Sequence, residues 1–203
     1  MTAEAVSRDM PEKPPSLPDW VFPPPEGFVA EDLDHIPELP AHTELIDGSL
    51  VFVSPQRDFH TAALYLLEKA LRGAAPSDHR VRREMSVRLS SDQRPEPDLI
   101  VLGPGARIQP DATFYDADDV VLAVEVVSPD SRVRDRERKP VLYATAGIPH
   151  FWRVEDQDGQ LMVCVYELEP ATKTYVVTGI FHERLRLTVP FPMDIDLTEI
   201  DQI

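Results

Sequence analysis

A chain of 203 residues is long enough for one domain with a proper core and too short for two large ones, and its formal charge of −16 argues against a protein that coats nucleic acid non-specifically. Affinity of that kind comes from many cation–phosphate contacts, which 20 basic residues set against 36 acidic ones cannot supply over a whole surface. The single cysteine, Cys164, excludes an internal disulfide, and the six histidines (His35, His42, His60, His79, His150, His182) lack the close pair spacings of zinc sites.

Residues 1–27 carry seven prolines (Pro11, Pro14, Pro15, Pro18, Pro23, Pro24, Pro25) and few periodic apolar positions, so they read as an extended, disordered, acidic leader to a single domain over residues 28–203. No basic start with an apolar core and no 18-residue apolar stretch is present, which predicts a soluble cytoplasmic protein without a membrane partner. Ala30 to Leu39 reads as a short helix stopped by Pro40, and Asp47-Gly48 between apolar runs predicts a hairpin. Phe59, Ala63, Leu66 and Ala70 recur at helical spacing from Asp58 to Arg72, with Gly73 where a helix stops. Val81, Met85, Val87 and Leu89 alternate with Arg82, Glu84, Ser86 and Arg88, the pattern of one half-buried strand.

Pro97 to Leu102 predicts a short strand beginning with Asp98, and Pro104 to Asp119 a loop. Val120 to Val127 is a buried strand interrupted by Glu125. Asp130 to Ala146 reads as helix, with Pro140 either kinking it or opening a second helix in its first turn. Phe151–Glu155, Leu161–Leu168 and Thr174–Phe181 follow as strands, the first two joined through Asp158-Gly159. Mixed helix and strand around one sheet predicts an α/β or α+β domain.

Glu125 needs a partner, because an ionised carboxylate leaves water at a cost of several kcal/mol even after relaxation. A metal ion is the sharpest candidate, and Asp98, 27 residues earlier at the start of another strand, could share it. Hydrolysis of a phosphodiester needs an activated water, a neutralising cation and a phosphate clamp, and magnesium on one or two carboxylates meets the first two needs. Alternation puts Val121, Ala123, Glu125 and Val127 on one face, so valine stands where a lysine would share the acid's face. Lys139, on the following helical segment, could fold back to supply that cation, and its removal is expected to leave folding nearly intact. Ten of the 20 Lys and Arg residues fall in Arg80–Arg94 and Arg132–Lys139, which predicts a positive mouth around one concave face.

Structural readings stand beside these. Asp98 could cap a turn, Glu125 could pair with Arg83 or Lys139, and Glu44 and Lys139 could be solvated surface charges. His60 reads as packing or surface, Tyr143 and Trp152 as core, and Cys164 as a small buried hydrophobe.

Taken together, Glu44-Leu-Ile-Asp-Gly48, Pro97-Asp98-Leu99-Ile100-Val101, Val124-Glu125-Val126-Val127-Ser128-Pro129, Asp135, Lys139, Tyr143, Gly147-Ile148-Pro149 and Phe151-Trp152 resemble the PD-(D/E)XK nucleases. Within them the likeness is to the Uma-type family of restriction-like endonucleases, over about residues 30 to 200. The resemblance implies a restriction-endonuclease-like core, a central mixed sheet flanked by helices, and a Mg²⁺-dependent phosphodiesterase site in which Mn²⁺ could substitute. By position, Asp98 and Glu125 match the family's metal-binding acids, Glu44 its upstream acid and Lys139 its displaced lysine. The implied partner is nucleic acid, DNA first, and a homodimer could cut two strands. An inactive nucleic-acid-binding or regulatory module of the same fold, or a hydrolase of another phosphate ester, remain as alternatives.

Overall fold

Asp47 and Gly48 both take positive φ, 53° and 70°, the mirror-image turn whose twist suits the strands it joins, β1 (Glu44–Ile46) and β2 (Ser49–Val51). This hairpin is as expected, in a computed structural model that describes residues 18–203. The leader expectation falls largely on residues 1–17, outside the described residues; residues 18–27 pass through a 3-10 turn at Asp19–Val21 and a turn closed by the Gly27 N–H on the Pro24 carbonyl. The helix expected over Ala30 to Leu39 is only a 3-10 turn, Ala30–Asp34. Pro37 explains the difference, since it lacks a donor and disfavours helical geometry at Ile36.

Helix α1 (Asp58–Ala74) runs past Gly73 and stops where Ala75 turns extended ahead of Pro76. The single strand expected from Val81 to Leu89 is two, β3 (Arg80–Arg83) and β4 (Ser86–Arg88). Glu84 between them has φ 50°, and its N–H is tied to the Asp98 carbonyl at 3.0 Å, which turns β4 out of the main sheet. β5 (Leu99–Leu102) pairs with β3, while β4 pairs in parallel with β6 (Phe114–Asp116), a strand inside the expected loop.

Next come β7 (Val120–Val126) and a π-helical turn, Arg134–Arg138, in which the Lys139 N–H reaches back to the Arg134 carbonyl. Helix α2 (Lys139–Ala146) then starts with Pro140 in its first turn, where a missing donor costs nothing. The wide turn and the new helix thus resolve the Pro140 question, and they carry Lys139 to the head of α2. β8 (His150–Gln157), β9 (Gln160–Glu169) and β10 (Thr174–Phe181) follow as expected, and a hairpin of β11 (Arg184–Leu187) and β12 (Met193–Asp196) was not foreseen.

Six strands form a mixed sheet in the order β10-β9-β8-β7-β5-β3, with β7 and β8 parallel through the α2 crossover and all other neighbours antiparallel. On one face, Leu64, Leu67 and Leu71 of α1 bury Leu99, Val101, Leu122 and Val124, with the β11–β12 hairpin closing the layer. On the other, Tyr143 and Ile148 bury Ile100, Leu102, Ala123 and Phe151. The alternation of β5 and β7 thus serves two cores, the α+β arrangement of a sheet covered by helices on both faces. Cys164 is buried and free, as expected. Among the described residues no helix is long and apolar enough to cross a membrane.

Gly147 ends α2 at φ 89°, and a Cβ there would meet nothing within 4 Å. Gly147→Ala therefore costs backbone strain alone, about 1–2 kcal/mol. Calorimetry should find a melting temperature lowered by roughly 2–8 °C.

Candidate active site

The antiparallel register that sets Leu99 against Val124 continues one step to put Asp98 beside Glu125 at the end of the β5–β7 pair. Asp98 is held there by two donors: its Oδ2 accepts the Val126 N–H at 2.6 Å, and its Oδ1 lies 2.9 Å from Nε2 of His60 on the first turn of α1. Glu44 opens β1, and its Oε1 accepts the Glu96 N–H at 2.9 Å. Lys139 lies between the acids, its Nζ 2.8 Å from Glu44 Oε1, 3.0 Å from Glu125 Oε2 and 3.4 Å from Asp135 Oδ1. The Tyr143 hydroxyl donates to the other Glu125 oxygen, and Ser131 donates to Asp135.

All four residues singled out from the sequence, Glu44, Asp98, Glu125 and Lys139, therefore line one cavity of about 320 Å³, together with His42, His60, Glu84, Glu96, Ser131, Arg134 and Asp135. Of the two cations proposed to pair with Glu125, Lys139 does so and Arg83 turns to Glu84 instead. His60, Asp135 and Tyr143 also belong to the site: the resemblance took in Asp135 and Tyr143 without giving either a role there, and His60 read as packing or surface. Asp135 stands one helical turn before Lys139, at the i, i+4 spacing of an ion pair, and that signal could have found it. His60 had no such signal, because its partner is 38 residues away.

Glu125 and Lys139 are 2 % and 4 % exposed, so water screens neither charge. Burial holds the Glu125 carboxyl well above the usual range; Lys139 opposes this, and Asp135, Asp98 and Glu44 reinforce it. Burial likewise raises Asp135 against the pull of Lys139. For Lys139, burial alone would lower the ammonium, but Glu125, Glu44 and Asp135 outweigh it and keep the group charged. Burial and the surrounding negative charge keep Tyr143 a neutral phenol, hence a donor.

The positive mouth expected from both basic stretches is not formed. Arg88 pairs with Asp116 and Glu31, Arg94 with Asp34, and Arg138 with Asp47, so these guanidinium groups serve the scaffold. From Arg80–Arg94, no arginine lines the cavity, and from the second stretch Arg134 and Lys139 do. In an acid-rich chain most guanidinium groups find a carboxylate before they find a ligand.

Among the described residues no three His, Cys, Asp or Glu side chains stand as a ready-made metal cage. The donor chemistry nevertheless fits a hard divalent ion. Glu44, Glu125 and Asp135 share one ammonium and so leave negative charge uncompensated, and the buried Asp135 Oδ1 has no hydrogen-bond donor. Magnesium takes one or two carboxylates and keeps waters for the rest, which this oxygen-rich cavity accommodates.

No curated protein matches the chain at a significant level. Among solved structures it is similar to a chain from Anabaena variabilis ATCC 29413 described as "a putative nuclease belonging to DUF820", with a TM-score of 0.65 and 14% identity over 86% of this chain and 98% of that one. At that identity the likeness speaks for the fold alone. The model of the Uma2 family, described as "Putative restriction endonuclease", matches residues 30–199. That span holds the whole central sheet and Glu44, Asp98, Glu125 and Lys139, and the chain belongs to the Uma2 family.

Proposed function

We propose that this protein is a magnesium-dependent endonuclease that hydrolyses phosphodiester bonds, with DNA as its substrate and Mn²⁺ able to replace Mg²⁺. The observation that carries the reading is one buried ammonium, that of Lys139, set among Glu44, Glu125 and Asp135 in the cavity that Asp98 also lines. Asp98 and Glu125 are the residues to hold the ion, with Glu44 assisting. When bound, the ion supplies positive charge at the phosphate and eases the ionisation of water. His60 and the Val126 N–H fix the Asp98 carboxylate, as the Tyr143 hydroxyl fixes Glu125, so both acids are oriented before substrate arrives. Lys139 is placed to offset the charge that grows on the phosphate oxygens, which a low-dielectric cavity makes more effective.

Closed circular DNA incubated with Mg²⁺ tests this. The wild-type protein should nick or linearise it, EDTA should stop the reaction, and Asp98→Asn should lower the rate by roughly 10²-fold or more. Equal rates for Asp98→Asn and wild type would refute the assignment.

A further inference from the structure

The cavity assigned to catalysis is a poor place for an anion to bind. Its wall carries Glu44, Glu84, Glu96, Asp98, Glu125 and Asp135, and even a bound divalent ion leaves little attraction for a phosphate diester. Affinity for a polyanion must come from outside the acids.

Nine arginines among the described residues form an ion pair with a carboxylate, whereas six, Arg57, Arg80, Arg82, Arg107, Arg132 and Arg134, form none. Of these six, Arg57, Arg132 and Arg134 gather in one place, beside the acids, while Arg80, Arg82 and Arg107 line neither this cavity nor the one next to it. Arg134 lines the acidic cavity, while Arg57 and Arg132 line an adjoining one of about 160 Å³ that shares His60 and Ser128 with it. The acids of this second cavity are already engaged: Glu155 by Arg136 and Arg153, and Asp156 by the Gly159 N–H. Arg57 is also the N-cap of α1 and makes no capping hydrogen bond, so the positive end of the helix adds to the arginines.

We infer that this second cavity is a phosphate subsite, in which Arg57 and Arg132 hold a backbone phosphate next to the scissile one and Arg134 bridges the two positions. Planar guanidinium forks match phosphate oxygens, and the shared wall of His60 and Ser128 puts both phosphates on one strand. The substrate is then a polynucleotide strand and not an ester with a single phosphate. This rests on the nuclease reading of the acidic cavity.

Fluorescence anisotropy in EDTA reads the subsite without any contribution from a divalent ion. The probes are a short labelled single-stranded DNA, its RNA counterpart and the DNA duplex. At least one should bind, and Arg57→Ala combined with Arg132→Ala should weaken it roughly 10-fold and reduce the slope of log affinity on log salt by about one to two, for two lost phosphate contacts. Arg82→Ala combined with Arg107→Ala removes two other arginines that line neither cavity and should change affinity less than about twofold. The probe that binds identifies the strand type. No binding by any probe, or equal losses in the two double variants, would overturn the subsite. Cleavage in Mg²⁺ is read separately: binding through Arg57 and Arg132 without cleavage sinks the nuclease reading alone, and cleavage with both double variants alike sinks the subsite alone.

Discussion

Lys139→Ala is expected to lower magnesium-dependent cleavage by roughly 10²-fold or more, and also to lower the melting temperature measured without divalent ions by about 10 °C. The activity loss follows from removing a preorganised positive charge beside the phosphate. The stability loss follows from burial. Lys139 is 4 % exposed and is the shared partner of Glu44, Glu125 and Asp135, so alanine leaves buried carboxylates without a counter-charge. Removing one partner of a buried ion pair costs about 3–5 kcal/mol. The sequence alone led to the opposite expectation for folding, because it did not show that the ammonium is enclosed. Added Mg²⁺ should restore part of the lost stability by replacing the missing charge. Arg138→Ala is the control, since that guanidinium pairs with Asp47 on an exposed face, and it should do far less on both measures. Equal losses in the two variants would point to a diffuse basic surface, and a fully active Lys139→Ala protein would remove this lysine from the mechanism.

Glu125→Gln should abolish the rise in melting temperature that Mg²⁺ produces in the wild type, while leaving the metal-free protein as stable or more so. Burial holds the Glu125 carboxyl above its ordinary value, which means that the charged form strains the folded state. A folded state that holds this proton more tightly than the unfolded chain is most stable below the unfolded value, about 4.3, and loses stability as pH rises from there through the folded value. Metal-free wild type should therefore melt lower as pH climbs through that window, and Glu125→Gln should show a flatter profile. The Mg²⁺-induced rise should grow with pH in the wild type, because the ion competes with the proton for the carboxylate. Glutamine can still accept from Tyr143, and Lys139 keeps Glu44 and Asp135, so the fold should persist. A Mg²⁺ response unchanged in the variant would show that Glu125 is not a ligand.

Features carried by local signals were legible in the chain. The Asp47-Gly48 turn, α1, the buried strand with its interrupting acid, and the succession β8, β9, β10 each follow from a turn dipeptide or an apolar period. The apolar context and spacing also brought Asp98, Glu125 and Lys139 forward, the family resemblance added Glu44, and all four line one cavity.

Other features are set by contacts between residues far apart in the chain. Glu84 breaks an alternating run because its backbone is bound to Asp98, and β6 exists only through pairing with β4. His60 becomes part of the site because α1 packs where its first turn meets the end of β5, which no periodicity in α1 announces. The arginine-rich stretches read alike in sequence, yet tertiary pairing commits five of their nine arginines to carboxylates and leaves Arg132 and Arg134, joined by Arg57 from the start of α1, beside the acids. Local propensity and apolar period are properties of neighbouring residues, so the sequence by itself determined the elements and the acids that needed a partner. Desolvation and charge pairing depend on what the fold encloses, and only the tertiary structure decided which cations answer those acids.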